Sequence, residues 1–206
     1  MFWDNVAWIY DVFANVINRK ADRALCAEVE RQIPRGGDVL ECACGTGLLS
    51  GAIAGRCKRL TATDLSASML KRAARKYSKC GNITFEQANI LQLHYPDGRF
   101  DAVVAANVIH LLDEPYKALR ELDRVCRPGG LLIIPTYMNR TDRGTTNGVS
   151  SVIGRAGADF KREFTLASYR QFFADAGYTN AHYTLCEGRI PCAVAVLRKN
   201  GEGEAI

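Results

Sequence analysis

The stretch VLECACGTGLLS, residues 39–50, contains the features on which the prediction of the fold depends. It begins as a short apolar run, which is typical of a buried strand, and it continues into a turn with two glycines, Gly45 and Gly47. Because glycine has no Cβ, such a turn lets the backbone pass close to a ligand at the start of a helix. The stretch therefore predicts a strand, a ligand-binding turn and a helix, in that order.

The composition indicates one globular domain and excludes several other classes of protein. Of the 206 residues, 48% are hydrophobic, which is enough for one substantial core. The net charge of +5 is a mild excess, and we expect no nucleic-acid partner. The longest apolar run, residues 102–112, contains Asn107 and His110 and is too short to span a bilayer. The N-terminus lacks the pattern of a signal peptide, so we expect a cytoplasmic protein without a membrane span.

Eight cysteines are many for a chain of this length, but their spacing favours neither a metal site nor a disulfide scaffold. There is no Cys-x-x-Cys pair, and no histidine stands at ligand spacing from a cysteine. We therefore expect reduced thiols and no bound metal. Cys42 and Cys44 are two residues apart at the first predicted strand, which predicts that both lie on one face as small core residues.

Segments typical of strands alternate with segments typical of helices along most of the chain. Predicted strands cover residues 38–43, 59–64, 82–89, 99–107, 130–137, 178–188 and 191–199, and predicted helices cover residues 46–57, 66–79, 113–127 and 165–177. This alternation implies right-handed crossovers, and therefore an α/β, doubly wound fold with a mostly parallel sheet and helices on both faces. In such sheets, ligands bind beyond the carboxyl ends of the strands.

Polar residues follow several predicted strands at that edge of the sheet. Glu41 precedes the glycine turn, Asp64 ends the second strand, Asn89 ends the third, and Asn107 follows the fourth. Asp64 lies 23 residues after Glu41, where an acidic side chain is placed to bind the two hydroxyls of a ribose. These features predict a nucleoside cofactor, but they do not separate a dinucleotide from other nucleosides.

Four motifs resemble those of the class I S-adenosylmethionine-dependent methyltransferases, in particular the group that contains the ubiquinone and menaquinone biosynthesis methyltransferases. They are VLECACGTG (39–47), LTATDLSASML (60–70), FEQANILQLHYPDGRFDAVVAANVIHLL (85–112) and LDRVCRPGGLLII (122–134). The motifs follow the order of the family and cover about half of the chain. The resemblance implies a Rossmann-like, seven-stranded sheet whose last strand is antiparallel. It also implies S-adenosyl-L-methionine as the cofactor and S-adenosyl-L-homocysteine as the product.

The resemblance further implies a role for individual residues of the motifs. The cofactor-binding positions that it implies are Tyr10, Glu41, Ala43, Gly45, Gly47, Asp64, Leu65, Met69, Asn89, Ile90 and Asn107. The glycine turn then lies under the methionine part, and Asp64 binds the ribose. Leu65 and Met69 lie against the adenine, Asn89 and Ile90 meet its edge, and Asn107 meets the amino acid end of the cofactor. Two positions depart from the family: Ala43 stands where another glycine is frequent, and Asn89 stands where Asp is usual.

His110 is the candidate general base, because it follows the fourth predicted strand at the expected mouth of the cofactor site. The alternative is an imidazole that packs beside the cofactor or hydrogen-bonds to the backbone. We expect residues 1–206 to form a single methyltransferase domain. Its four predicted parts are an N-terminal helical lid (1–33), which includes Tyr10, a cofactor-binding core (34–137), an acceptor-side loop (138–160), and a C-terminal helix with closing strands (161–206).

The sequence thus predicts an enzyme that transfers a methyl group to a small-molecule acceptor, by in-line displacement with an O, N, S or C nucleophile. The alternatives are a nucleic-acid or protein methyltransferase and a dinucleotide-dependent oxidoreductase. Two of these are disfavoured by missing motifs. The second half has no Tyr-x-x-x-Lys pair for hydride transfer, and no Asn/Asp-Pro-Pro-aromatic turn follows the fourth strand. A non-catalytic binding module is disfavoured by the intact glycine turn and Asp64.

Overall fold

The structure, a computed structural model, describes residues 18–139 and 161–200. Its strands are β1 (Asp38–Cys42), β2 (Arg59–Asp64), β3 (Ile83–Gln87), β4 (Phe100–Ala105), β5 (Cys126–Tyr137), β6 (His182–Cys186) and β7 (Cys192–Arg198). Its helices are α1 (Arg19–Gln32), α2 (Ser50–Ala54), α3 (Ala67–Lys76), α4 (Pro115–Val125) and α5 (Leu166–Asp175), with a 3-10 turn at Ile109–Leu111.

The seven strands form one sheet in the order β3-β2-β1-β4-β5-β7-β6. The pairs from β3 to β5 are parallel, and β7 is antiparallel to both β5 and β6. The predicted doubly wound, Rossmann-like fold with an antiparallel last strand is therefore confirmed. β4 and β7 are buried almost throughout, as their continuous apolar sequences predict for strands covered on both faces.

Hydrophobic clusters on the two faces of the sheet form the core, and they separate the two cysteines that were expected to share a face. Cys42 belongs to one cluster and Cys44 to the other. The expectation was wrong because β1 ends at Cys42 and Ala43 has a φ of +53°, so the alternation of a regular strand does not continue. Both side chains are nevertheless buried, as expected for small core residues.

Local signals mark the starts of two helices. Serine is a typical N-cap residue, and the Ser66 hydroxyl accepts a hydrogen bond from the backbone N–H of Met69 and caps α3. At the start of α4, which was predicted to begin at residue 113, Glu114 occupies the N-cap position and Pro115 follows it. The next strand, β5, begins directly after α4, because its pairing with β4 starts at Cys126 and shifts in register before Leu131.

The parts of the chain outside the central sheet are described only in part. α1, which lies within the predicted lid, packs against the end of the sheet formed by β5, β6 and β7, and it buries Leu25 and Val29. Residues 1–17, which include Tyr10, and residues 140–160, most of the predicted acceptor-side loop, lie outside the described residues. No helix within the described ranges is long and apolar enough to cross a membrane.

Candidate functional site

A cavity of about 320 Å³ lies at the carboxyl ends of β1, β2, β3 and β4. This is the switch point of the sheet, because the chain proceeds outward from β1 in one direction and from β4 in the other. The cavity wall consists of Glu41, Ala43, Cys44, Gly45, Leu48, Leu49, Asp64, Leu65, Met69, Ala88, Asn89, Ile90, Leu91, Ala106, Asn107, Val108, Leu111 and Leu112. Its volume is in the range typical of small-molecule sites.

Nine of the eleven predicted cofactor-binding residues belong to this wall. They are Glu41, Ala43, Gly45, Asp64, Leu65, Met69, Asn89, Ile90 and Asn107. Gly47 is not part of the wall, and Tyr10 lies outside the described residues. The structure thus brings together, from the carboxyl ends of four strands and the start of α3, residues that were predicted to bind one ligand.

The carboxylate of Asp64 joins two of these loops. Its Oδ2 accepts a hydrogen bond from the backbone N–H of Gly45 at 2.9 Å, and its Oδ1 accepts one from the N–H of Ser66 at 2.8 Å. Each carboxylate oxygen can accept a further hydrogen bond, so both can also bind hydroxyl groups of a ligand. Asp64 therefore shapes the glycine turn in addition to facing the cavity.

The glycine turn is held from behind by α3 and the residue that follows it. Gly45 and Gly47 have φ values of +56° and +80°, which favour glycine. The hydroxyl of Tyr77 and the ammonium of Lys76 both donate to the carbonyl oxygen of Gly47, at 2.8 and 3.1 Å. A Cβ at Gly47 would lie 2.8 Å from the Tyr77 ring, whereas a Cβ at Gly45 would meet nothing within 4 Å. Gly47 thus makes room for Tyr77, a residue that the sequence analysis missed.

Glu41 is a buried acid in the cavity wall, only 2% exposed. The hydroxyl of Ser50 donates to its Oε2 at 2.6 Å. Burial raises the pKa of Glu41 to about 8, and the charge of Asp64 adds to this effect, while the Ser50 hydrogen bond and the charge of Lys76 oppose it. Glu41 is therefore mostly protonated at neutral pH in the unliganded protein.

The raised pKa of Glu41 predicts a measurable pH dependence of stability. The pKa of Glu41 is 4.5 in the unfolded chain and about 8 in the fold. The stability that protonated Glu41 contributes is therefore fully present below pH 4.5 and is lost as the pH rises through about 8. We expect Glu41→Gln to remove a slope of up to about 1.4 kcal/mol per pH unit from the free energy of unfolding in that window. Urea unfolding across the window measures this slope. The exposed Glu30→Gln variant is the control, and an unchanged slope in Glu41→Gln would contradict the prediction.

The expected adenine end of the cavity is apolar on one side and polar on the other. Leu65 is 45% exposed, and Met69 and Ile90 are buried beside the same space. The side-chain oxygen of Asn89 accepts a hydrogen bond from the N–H of Leu91 at 3.0 Å, so it is partly used within its own loop. Exposed Leu65 at the rim of a cavity is suited to contact with a flat ring.

Asn107 belongs to the cavity wall and stands on the loop after β4. Its backbone is held at a φ of +51°, with its N–H donating to the carbonyl oxygen of Pro135 at 2.8 Å. Its side-chain Oδ1 is buried and has no hydrogen-bond partner among the described residues. Buried acceptors are normally satisfied, so an unpartnered one on a residue of the cavity wall is unusual.

His110 lies on the 3-10 turn next to the cavity, although it is not part of the wall. Arg162 holds the turn through two hydrogen bonds. Its guanidinium donates to the carbonyl oxygen of Leu112 at 2.7 Å, and its backbone N–H donates to the carbonyl oxygen of His110. Burial, together with the charge of Arg162, lowers the pKa of His110 to about 4. Its imidazole is therefore neutral at neutral pH. Within the described residues, the rings of His110 and Tyr137 lie edge to face, with centroids 6.5 Å apart.

The cysteines near the site are unreactive in character. All eight are free thiols, and burial raises the pKa of Cys42 to about 12 and that of Cys44 further still. Because the thiolate is the reactive and metal-binding form, both side chains behave as small apolar groups. Within the described residues no group of three His, Cys, Asp or Glu side chains is arranged to hold a metal ion.

The apolar part of the cavity wall was not predicted from the sequence. The additional residues are Cys44, Leu48, Leu49, Ala88, Leu91, Ala106, Val108, Leu111 and Leu112. Most of them stand within a few positions of a predicted polar residue on the same loop. Their proximity in sequence was thus the available signal, but their orientation depended on loop conformation.

Comparisons with known proteins agree with this geometry. A family model described as "Methyltransferase domain" matches residues 40–134. The chain is 33% identical over 150 residues to a phosphatidylethanolamine N-methyltransferase of Cereibacter sphaeroides, covering 71% of each chain. It is 40% identical over 109 residues to a ubiquinone/menaquinone biosynthesis C-methyltransferase of Bdellovibrio bacteriovorus, covering 48% of this chain and 43% of that protein.

A solved structure from Thermotoga maritima shares the fold over nearly the whole length of both chains. It is described as an S-adenosylmethionine-dependent methyltransferase, possibly a histamine N-methyltransferase. The TM-score is 0.77 at 18% identity, and the match covers 97% of this chain and 99% of the other. At this identity the likeness concerns the fold alone.

Proposed function

The chain belongs to the class I S-adenosylmethionine-dependent methyltransferases, and from this premise we propose that it transfers a methyl group from S-adenosyl-L-methionine to a small-molecule acceptor. One observation carries the proposal. A single cavity at the switch point joins the glycine turn, the Asp64 carboxylate, the exposed Leu65 and the unsatisfied acceptor of Asn107.

The residues of the cavity fit the chemical groups of this cofactor. Asp64 would bind the ribose hydroxyls, Leu65 and Met69 would contact the adenine, and Oδ1 of Asn107 would accept from the ammonium of the methionine part. Glu41 belongs to the same wall, and its buried carboxyl is mostly protonated. It would release this proton when the cationic cofactor binds beside it, because a nearby positive charge stabilises the carboxylate. Gly45 leaves space for the ligand, since nothing lies within 4 Å of its missing Cβ.

When bound, the cofactor supplies a methyl group on a sulfonium, which an acceptor nucleophile displaces in line. The protein then has to bind and orient the two reactants and to exclude water. Because the leaving group is already activated, these effects make a large contribution to the rate. His110 stays the candidate base. Its neutral imidazole is weakly basic, which suits an acceptor that loses its proton readily. Residues 1–33 as a lid and residues 138–160 as the acceptor side belong to the same proposal.

The relatives support a small-molecule acceptor over a nucleic acid or a protein. One is named for phosphatidylethanolamine and methylates nitrogen, and the other is named for quinone biosynthesis and methylates carbon. The two names differ in the atom that is methylated, and the chain spans less than half of the second relative. The proposal therefore specifies a small-molecule acceptor and includes O, N, S and C as the atom that is methylated.

Isothermal calorimetry on the purified protein tests the cofactor assignment. We expect S-adenosyl-L-methionine and S-adenosyl-L-homocysteine to bind and NADH not to bind, because the acceptor on Asn107 and the short glycine turn suit a methionine chain. NADH is the matched control, since it carries the same adenosine. Binding of NADH without a signal for either adenosyl compound would overturn the proposal in favour of an oxidoreductase.

A further inference from the structure

The 3-10 turn at Ile109–Leu111 and the residue that follows it form one side of the cofactor cavity. Leu111 and Leu112 belong to the cavity wall, and both are half-buried. So short a turn has few hydrogen bonds of its own. The N–H of Leu111 donates to the carbonyl oxygen of Val108 at 2.9 Å, whereas the N–H of Leu112 lies 3.5 Å from that of Ile109. The position of this side of the wall therefore depends on contacts with other parts of the chain.

The entry to the turn is held by the sheet. β4 ends at Ala105, and the N–H of Asn107 donates to the carbonyl oxygen of Pro135 in β5 at 2.8 Å. The side chain of Ile109 is fully buried in one of the two hydrophobic clusters. These contacts fix the first half of the turn, and the carbonyl groups of its second half need donors from elsewhere.

Arg162 supplies those donors through its side chain and its backbone. Nη1 of its guanidinium donates to the carbonyl oxygen of Leu112 at 2.7 Å and to that of Ile109 at 3.4 Å. Its backbone N–H donates to the carbonyl oxygen of His110 at 3.2 Å. Arg162 thus binds three of the four carbonyl groups from Ile109 to Leu112. The guanidinium contributes most to this contact, because hydrogen bonds from a charged donor are stronger than those between neutral groups.

The segment that carries Arg162 is itself fixed to the end of β5. Phe164 forms a β-bridge with Met138, and its carbonyl oxygen accepts a hydrogen bond from the N–H of Asn139 at 2.7 Å. The side-chain amide of Asn139 also donates to the carboxylate of Glu163 at 2.7 Å. Phe164 is buried, which anchors the segment to the core. Arg162 therefore reaches the turn from a backbone that is already held in place.

Arg162 does not belong to the motifs on which the cofactor assignment rests. The family model matches residues 40–134, and Arg162 lies beyond the end of that range. It is 50 residues away in the chain from Leu112, whose carbonyl group it binds. Its contact with the cavity wall is therefore a separate feature of the tertiary structure.

We propose that Arg162 is a positioning residue of the methyltransferase site, which holds the 3-10 turn so that Leu111 and Leu112 are in place before the cofactor binds. The inference rests on the proposed function. Arg162 acts through its neighbours, since it is not part of the described cavity wall. If the wall is ordered in advance, binding does not have to order it, so loss of Arg162 lowers affinity without removing a ligand contact.

Calorimetry on the full chain with S-adenosyl-L-homocysteine as the probe tests the proposal. Arg162→Met removes the guanidinium donors and keeps a long side chain. We expect its dissociation constant to rise about 5- to 30-fold, which corresponds to ordering about one residue of backbone during binding. Arg162→Lys keeps a charged donor at the end of a long side chain, and we expect it to recover most of the lost affinity. Arg162→Gln keeps only a neutral donor, and its affinity should stay below that of the lysine variant.

The matched control is Arg170→Met. It removes an exposed arginine that lies over the ring of Tyr183, 5.1 Å from the ring centroid, and it should bind the probe like the wild type. Hydrogen exchange without ligand then separates positioning from a general loss of stability. In Arg162→Met we expect the amides of Leu111 and Leu112 to exchange about 10-fold faster, while β1 and β4 keep their protection.

An unchanged affinity in Arg162→Met, or an equal loss in Arg170→Met, would overturn the proposal. A lysine variant that binds as weakly as the methionine variant would also overturn it. Faster exchange throughout the sheet would mean that Arg162 supports the fold as a whole, which again contradicts a positioning role. If Arg162→Met does not fold, the ranking of the lysine variant above Arg162→Gln decides in its place. Failure of S-adenosyl-L-homocysteine to bind the wild type would instead overturn the proposed function.

Discussion

Asp64→Ala is expected to weaken binding of S-adenosyl-L-homocysteine by about 1.5–3 kcal/mol, which is about a 10- to 150-fold rise in the dissociation constant. The substitution removes the acceptors proposed for the ribose hydroxyls. It also removes the two bonds that the carboxylate accepts from the N–H groups of Gly45 and Ser66. Calorimetry with the wild type and the variant measures the difference.

A second ligand separates these two contributions. An analogue of S-adenosyl-L-homocysteine that lacks both ribose hydroxyls should bind the wild type more weakly than the parent compound does. It should lose little further affinity in Asp64→Ala, because the hydroxyl bonds are already absent. Asp64→Asn keeps the shape and one acceptor, and we expect an intermediate loss. Equal losses for both ligands in Asp64→Ala would mean that the ribose is held by another group.

Gly47→Ala is expected to destabilise the fold by about 2–4 kcal/mol, because it adds both backbone strain and a steric clash. The φ of +80° disfavours a side chain, and the new Cβ would lie 2.8 Å from the Tyr77 ring and 3.3 Å from the hydroxyl of Ser50. Urea unfolding of the unliganded protein measures this loss. Cofactor affinity should fall as well, since the same turn carries Gly45 into the cavity wall.

The matched control is Gly45→Ala, which also has a positive φ but no atom within 4 Å of its Cβ. It should cost only about 1–2 kcal/mol of stability, from backbone strain. The double variant Gly47→Ala with Tyr77→Ala should be less destabilised than the sum of its two single variants, because the clash is relieved. Equal destabilisation by Gly45→Ala and Gly47→Ala, with additive effects of Tyr77→Ala, would show that Tyr77 does not restrict position 47.

The sequence was informative about the site where local chemistry specifies a residue. Asp64 could be predicted because an acid at the end of a second strand is placed for a ribose, and it lies in the wall as expected. The sequence was less informative where the role of a residue depends on contacts with residues that are distant in the chain. Tyr77 is 30 residues from the carbonyl that it holds, and Arg162 is 50 residues from that of Leu112.

The sequence by itself determined the order of strands and helices, because a strand buried on both faces needs a continuous apolar run and because Ser66 caps its helix through a bond three residues away. Only the tertiary structure decided which side of the glycine turn meets a ligand. Regular alternation ends with β1 at Cys42, and beyond it the positive φ angles of Ala43, Gly45 and Gly47 set the direction of each residue. Those angles are stabilised by Asp64 and Tyr77, which reach the turn from other elements. Contacts of this kind leave no periodic pattern in the sequence.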